Sequence, residues 1–283
     1  MLRFRNLASG STGNATVVEA QQPHSLRPTR LLVDCGLGIR QLQSRLAAAG
    51  LAIDDIDGIF ITHEHSDHIG CVEKLVHRYD KPVWMSAGTR SALPRLDFGQ
   101  AWCEARDNQP VALGDIRFTP FTVPHDAREP LQLSCTDGVH KLGIATDLGM
   151  PTPHVMQHLQ QCHALIIESN HDPALLAASS YPYFLQRRIS GSHGHLANAV
   201  AAEMVAALMH DALALVVGAH LSQQNNRPDI ARQHLEQAVA GLAHAPGVVV
   251  ADPVSGTAWH DVTPLHASLC LLYTSDAADE RSS

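Results

Sequence analysis

Lysine is scarce in this 283-residue chain. Only Lys74, Lys81 and Lys141 occur, and 20 basic residues stand against 28 acidic ones, a formal charge of −8. That balance excludes a broad basic face for gripping long nucleic acid, which rests on neutralising phosphates with Lys and Arg, though it leaves room for a local basic pocket. Long apolar runs are missing too. Even AVAAEMVAALM is interrupted by Glu203, so nothing reaches the roughly 18 apolar residues of a membrane span. The opening MLRFRNLASG carries two arginines but no apolar segment or cleavage site, so no signal peptide is expected. The six cysteines (Cys35, Cys71, Cys103, Cys135, Cys162, Cys270) fall singly, with no C-x-x-C pair. This excludes a zinc ribbon or a disulfide framework and points to a reducing cytoplasm.

What the chain has in excess is histidine, 19 residues, nearly as many as Lys and Arg together. With 45% hydrophobic residues the composition is globular, and the length suits one layered α/β domain with a sizeable core. The tail differs. CLLYTSDAADE, Cys270 to Glu280, reads as the translation of a transposase adapter used in sequencing libraries. Residues 270–283 are therefore expected to be non-native, leaving residues 1–269 as a single domain.

Short strands separated by Gly, Ser and Pro turns are predicted at Leu2–Asn6, Ala15–Glu19, Arg30–Asp34, Gly58–Thr62, Val83–Met85, Ile116–Val123, Leu131–Thr136 and Lys141–Thr146. Further strands are predicted at Ala164–Glu168, Leu213–Gly218 and Gly247–Ala251. Helices are predicted at Ile39–Ala49, Gly70–Tyr79, Thr152–Gln161, Leu196–Met209 and Asp229–Gly241. Strands alternating with helices in both halves imply two mixed β-sheets flanked by helices, an αββα sandwich.

The polar clusters fall where strands end, the place a rigid scaffold presents a site. THEHSDH follows the strand GIFIT. In extended backbone His63 and His65 share a face and can point at one ion; where the chain turns into a helix, Asp67 and His68 can face a second. Imidazole and carboxylate suit Zn²⁺, Mn²⁺ or Fe²⁺. Two coordination shells need more ligands, and His125, Asp147 and His220 each follow a strand. Singly each is weak, since a lone His after a strand is usually a capped or surface residue; together and in this order they are strong.

This ordered set resembles the metallo-β-lactamase superfamily of hydrolases, whose H-x-H-x-D-H motif is matched by His63, His65, Asp67 and His68; the resemblance runs from Leu2 to about Asp252. It implies one metal held by His63, His65 and His125, a second by Asp67, His68 and His220, and Asp147 between them. Asp34, in LLVDCG, would orient ligand imidazoles by hydrogen bonding. Seven ligands for two ions leave coordination positions open, as hydrolysis requires, with a hydroxide held between the ions as nucleophile.

Further stretches narrow the class. LASGSTGNA can offer backbone N–H groups, Ser11 and Asn14 to an anion, or be an ordinary Gly-rich hairpin. SGSTGN, ESNHD, GHLAN and HLSxxNN resemble the YycJ/WalJ (VicX) subgroup, near the tRNase Z and phosphodiesterase branch. That resemblance implies phosphodiester hydrolysis, usually by a 5′-to-3′ DNA exonuclease. Asp67 would position the attacking water, His195 oriented by Glu168 would protonate the departing oxygen, and Arg187 or Arg188 would offset phosphoryl charge. Asn225, with Asn226 and Arg227, holds the nucleotide or caps the following helix.

The alternatives are a small-molecule (cyclic) phosphodiesterase, favoured by the acidic charge, and a thioesterase or lactonase, disfavoured by Glu168, His195 and the arginines. A non-catalytic metal protein ranks last, because all seven ligand positions carry competent residues. The partner is a nucleic-acid or small phosphodiester substrate rather than a membrane. No sequence feature sets the metal identity or the oligomeric state.

Overall fold

The computed structural model describes residues 1–241 and 244–262. The expected non-native tail and the expected end of the domain lie outside the described residues.

One sheet is built from β1 (Leu2–Ala8), β2 (Ala15–Ala20), β3 (Thr29–Val33), β4 (Gly58–Phe60), β5 (Val83–Met85) and β6 (Trp102–Glu104). The other contains β7 (Val111–Leu113), β8 (Ile116–Thr122), β9 (Leu131–Thr136), β10 (Lys141–Ala145), β11 (Ala164–Glu168), β12 (Leu215–Ala219) and β13 (Gly247–Val250). A short β14 (His260–Asp261) returns to pair with β1, giving the orders β14-β1-β2-β3-β4-β5-β6 and β13-β12-β11-β10-β9-β8-β7. Each sheet is mixed, antiparallel at one end and parallel at the other (β3 to β6, β10 to β13). The helices are α1 (Ile39–Ala48), α2 (Ser66–Ile69), α3 (Val72–Tyr79), α4 (Ala87–Ala92), α5 (Pro153–Leu159), α6 (Pro173–Ala177), α7 (Tyr183–Ile189), α8 (Asn198–Ala207) and α9 (Pro228–Val239).

The period-2 alternation of a strand decides which layer each side chain enters. In β3, Leu31 and Val33 face the second sheet, while Leu32 faces Leu42 and Leu46 of α1 and Leu75 of α3. On the far side, Leu165, Ile167 and Val216 meet α5, α8 and α9 through Val155, Val205 and Leu235. The expected αββα sandwich is thus what the three apolar layers build. Between the sheets, Phe60 meets Phe118 edge-on with ring centroids 5.7 Å apart, and Trp84 meets Phe118 at 5.6 Å. Covered on both faces, β11 is buried throughout and reads as an unbroken apolar run up to Glu168.

Differences from the sequence reading are local. The helix predicted from Gly70 begins at Val72 as α3, and the short α2 before it went unpredicted; Gly70, at φ 25, separates the two. Strands β6, β7 and β14 and helices α4, α6 and α7 went unpredicted; these strands are three residues or fewer, too short to alternate, and α7 has no buried residue. No helix among the described residues is long and apolar enough to cross a membrane.

Phe118 joins the two sheets with no exposed surface. Phe118→Ala should therefore cost about 3–5 kcal/mol of unfolding free energy in urea titrations with chelator present. A loss inside about 0.5 kcal/mol, the range of a surface change, would place the inter-sheet core elsewhere.

Candidate metal centre

The polar cluster sits where strands of both sheets end. Asp34 follows β3, the THEHSDH segment follows β4, His125 follows β8, Asp147 follows β10, Glu168 closes β11 and His220 follows β12. Three of these, Asp34, Asp147 and His220, take left-handed φ values of 59, 51 and 55, a conformation costly for non-glycine residues and common where a site dictates the backbone. Gly36 is required for a different reason: a Cβ there would lie 1.6 Å from the Asp67 carbonyl oxygen. The loop before β2 and the loop after β3 both touch the histidine loop through their backbones, Asn14 N donating to Asp67 O and Cys35 N to His68 O.

Hydrogen bonds to the rear nitrogens fix which imidazole nitrogen faces the centre. His63 Nδ1 meets Thr62 Oγ1 at 3.0 Å, His68 Nδ1 meets Asp34 Oδ2 at 2.8 Å, and His125 Nδ1 meets the Gly194 carbonyl at 3.1 Å. His220 Nδ1 meets Glu168 Oε1 at 2.8 Å. In each case Nδ1–H donates and Nε2 points inward. His65 is turned the other way: its Nδ1 lies 3.0 Å from His63 Nε2 and 3.4 Å from His125 Nε2, so three nitrogens converge on one point. Asp67, His68 and His220 form a second converging group, and Asp147 stands between, its Oδ2 3.3 Å from His68 Nε2 and its Oδ1 3.9 Å from His125 Nε2.

This donor set fits a divalent cation. Asp147 Oδ2 and His220 Nε2 are enclosed and have no hydrogen-bond partner among the described residues, although buried polar atoms are nearly always paired. Asp147, Glu168, His195 and His220 also lie close enough to count as a ligand group. That grouping is not a cage, because the Nδ1 atoms of His195 and His220 both donate to Glu168 Oε1 at 2.8 Å.

Charge tells the same story. Burial alone opposes ionisation of every group here, and it keeps His63 and His125 below the ordinary histidine range. Burial likewise opposes a proton on His220, but Asp147, Asp67 and Glu168 outweigh it and push the ring up to about 10. His68 is raised in the same way by Asp147 and Asp34. The carboxylates demand positive charge, which protons on His68 and His220 meet when no cation does.

The remaining expected site residues divide. Ser11, Arg188 and His195 line the roughly 210 Å³ pocket over the cluster, where Arg188 pairs with Asp126. Glu168 lies behind His195, fully buried. Asn14 is not available to an anion: it is 7% exposed, accepts from Gly10 N, and donates to Asp67 Oδ2 at 3.3 Å, so it positions Asp67 instead. Asn225 is 1% exposed, lies outside this pocket, and its amide has no partner. Arg187 turns away, into a neighbouring cavity. The sequence reading missed Thr62, Gly194, Asp126 and Ser9, whose hydroxyl accepts from His220 N at 2.8 Å. Thr62 stands inside THEHSDH, Ser9 inside SGSTGN and Gly194 inside GHLAN, so of these Asp126 alone lay outside the motifs.

Residues 29–220 match the beta-lactamase superfamily domain. The chain belongs to the beta-lactamase superfamily, and the clustered His and Asp groups point to divalent-metal binding. It is similar to exodeoxyribonuclease YycJ of Bacillus anthracis, 35% identical over 83% of this chain and 88% of that protein. Exodeoxyribonuclease WalJ of Streptococcus pneumoniae is 31% identical over 93% of this chain and 97% of its own length. Among solved structures, the metallo-beta-lactamase fold protein YhfI from Bacillus subtilis superposes with a TM-score of 0.69 at 17% identity, over 92% of this chain and 100% of that one, a likeness of fold.

Metal binding should release protons unevenly. At pH 7 the His63–His65–His125 group is already deprotonated at His63 and His125, whereas His68 and His220 must each shed a proton. Calorimetric titration of the chelator-treated protein with Zn²⁺, in buffers of different ionisation enthalpy, should show protons released as the Asp67–His68–His220 group fills, and weaker affinity as pH falls. Binding without proton release at pH 7 would contradict this charge arrangement.

Proposed function

We propose that this chain is a dinuclear metal-dependent phosphodiesterase that degrades DNA as an exonuclease, with 5′-to-3′ polarity. The observation that carries the reading is the Glu168–His195 pair: His195 Nδ1 is held at 2.8 Å by Glu168, 3.8 Å from Asp147 Oδ1, and its ring lines the pocket over the metal cluster. Its support comes from relatives named exodeoxyribonucleases that align over most of this chain.

His63, His65 and His125 would hold one zinc or manganese ion, Asp67, His68 and His220 the other, with Asp147 shared. Ions so placed ease the loss of a proton from a water molecule and offset charge on phosphoryl oxygens. The side chains do the rest. Asp67, fixed by Asn14, orients the attacking water, and Arg188 at the mouth offers its guanidinium to the phosphoryl group. Burial opposes a proton on His195, but the charge and hydrogen bond of Glu168 outweigh it and raise His195 above the ordinary histidine value. Glu168 thus favours the protonated ring, which can give its Nε2 proton to the departing alkoxide.

A general acid of this kind matters for an alkoxide and is superfluous for a thiolate, which places thioester hydrolysis behind phosphodiester hydrolysis. A small or cyclic diester is the second reading. The charge of −8 favours it, since no basic track runs along the chain to hold a long strand.

With Mn²⁺ or Zn²⁺ supplied, 5′-phosphorylated DNA and a bis-aryl phosphodiester should both be hydrolysed, and Asp67→Ala should abolish both. His195→Ala should slow DNA cleavage by about 10²–10⁴-fold and leave the aryl diester much less affected, because an aryloxide departs without a proton. Cleavage of the small diester alone would move the assignment to a small-molecule phosphodiesterase; equal losses on both substrates would remove His195 from the acid role.

A further inference from the structure

Helix α7 is a partition. None of its residues is buried, yet Leu185, Arg188 and Ile189 line the pocket over the metal cluster while Tyr183, Gln186 and Arg187 line a second cavity of about 340 Å³. His195 is a wall of both. We infer that this second cavity is a nucleobase subsite, taking the base of the nucleotide whose sugar oxygen leaves when the diester is cut. The inference rests on the phosphodiesterase reading and names where its substrate is gripped.

The cavity has the make-up of a small-molecule site: an apolar wall from Leu176, Leu196 and Val200, with a few polar groups converging on it. One of these is conspicuous. His171, from the ESNHD motif, lines the cavity at 2% exposure, its imidazole makes no hydrogen bond with any described residue, and its Nδ1 is fully enclosed. An imidazole on the cavity wall whose Nε2 has no partner among the described residues suits a base edge. Tyr183 lines the cavity and is 73% exposed, and Phe184, next to it in α7, is 73% exposed as well. Exposed aromatics beside an arginine are what single-stranded nucleic acid stacks on. In a chain of charge −8, stacking and a pocket replace the missing basic track.

The shared wall decides the occupant. As water adds to phosphorus, the bond from phosphorus to the departing sugar oxygen breaks and that oxygen keeps the electron pair. It takes the proton of His195, and the proton lost by the water restores His195. The departing sugar thus lies against His195, and the cavity on the far side of that ring is within reach of the base it carries. Room for a nucleotide but not a strand would also set cleavage one residue from the end.

The test is calorimetric binding to the metal-loaded protein of 2′-deoxyadenosine 5′-monophosphate, 2-deoxyribose 5-phosphate and orthophosphate. The nucleotide should bind at least about tenfold more tightly than the sugar phosphate, roughly one stacking contact's worth. Ala177→Trp, placing an indole in the cavity from an exposed position on α6, and Tyr183→Ala should each bring the ratio near one, with unfolding temperature and metal content unchanged. Equal binding of nucleotide and sugar phosphate by the wild type, or a preference that survives Ala177→Trp, overturns the subsite. Wild-type hydrolysis of the bis-aryl diester separates the two failures. If the diester is cut and no base preference exists, only the subsite falls; if it is not cut with Zn²⁺, Mn²⁺ or Fe²⁺, the parent reading falls and this assignment with it.

Discussion

A single buried carboxylate ties the site together. Glu168 has no exposed surface, yet it must be ionised, because four donors face it: His195 Nδ1 and His220 Nδ1 on one oxygen, Leu148 N and Leu196 N on the other. Burial alone would push its proton affinity up, and the two histidines outweigh that and hold it below the usual carboxylate range. The donors come from three pieces of chain: the loop after β10 (Leu148), the approach to α8 (His195 and Leu196) and the end of β12 (His220). Placing one charge at the end of a fully buried strand thus fixes a metal-facing histidine and a proton-carrying histidine relative to each other. Removing it would leave two rings without their orienting acceptor, and the cost of an unpaired buried donor is larger than the worth of the bond that held it.

The second constraint is backbone strain. Asp34, Asp147 and His220 turn into left-handed φ immediately or two residues after their strands. Asp34 and His220 are held there by what they touch. Asp34 accepts from Thr62 N at 2.9 Å and from His68 Nδ1 at 2.8 Å, and His220 N donates to Ser9 Oγ. Strain of this kind persists only where surrounding contacts over-determine it. Here those contacts come from both sheets, so the sandwich has to form before the cluster can.

The legible part of the site was the part written in consecutive residues. His63, His65, Asp67 and His68 share one loop, and the strands before His125, Asp147 and His220 are apolar enough to mark where the loops begin. What escaped lay in long-range pairing. Glu168 was read as the partner of His195, 27 residues away, but its bond to His220 spans 52 residues and has no local trace. Asn14 looked like an anion-binding side chain in a glycine-rich loop, whereas its amide is spent on Asp67, 53 residues on. Arg187 and Arg188 were interchangeable as letters and are separated by the 100° step of a helix, one toward each cavity. α7 itself was invisible because no side chain in it is buried, so no apolar face marked it.

The acidity of the chain then takes on a meaning it lacked as a bare number. Asp34, Asp67, Asp147 and Glu168 crowd one pocket, and Asp126 stands at its mouth against Arg188. A phosphate diester brought to that pocket with no cation present meets a surplus of negative charge, which protons on His68 and His220 only partly offset. Two divalent cations would neutralise that surplus, and the same carboxylates would be the reason the cations stay. Metal and substrate are therefore coupled ligands on the proposed reading, each bound more tightly in the presence of the other. On the proposed subsite, stacking on the far side of His195 would add affinity that does not depend on charge, in a protein with only three lysines.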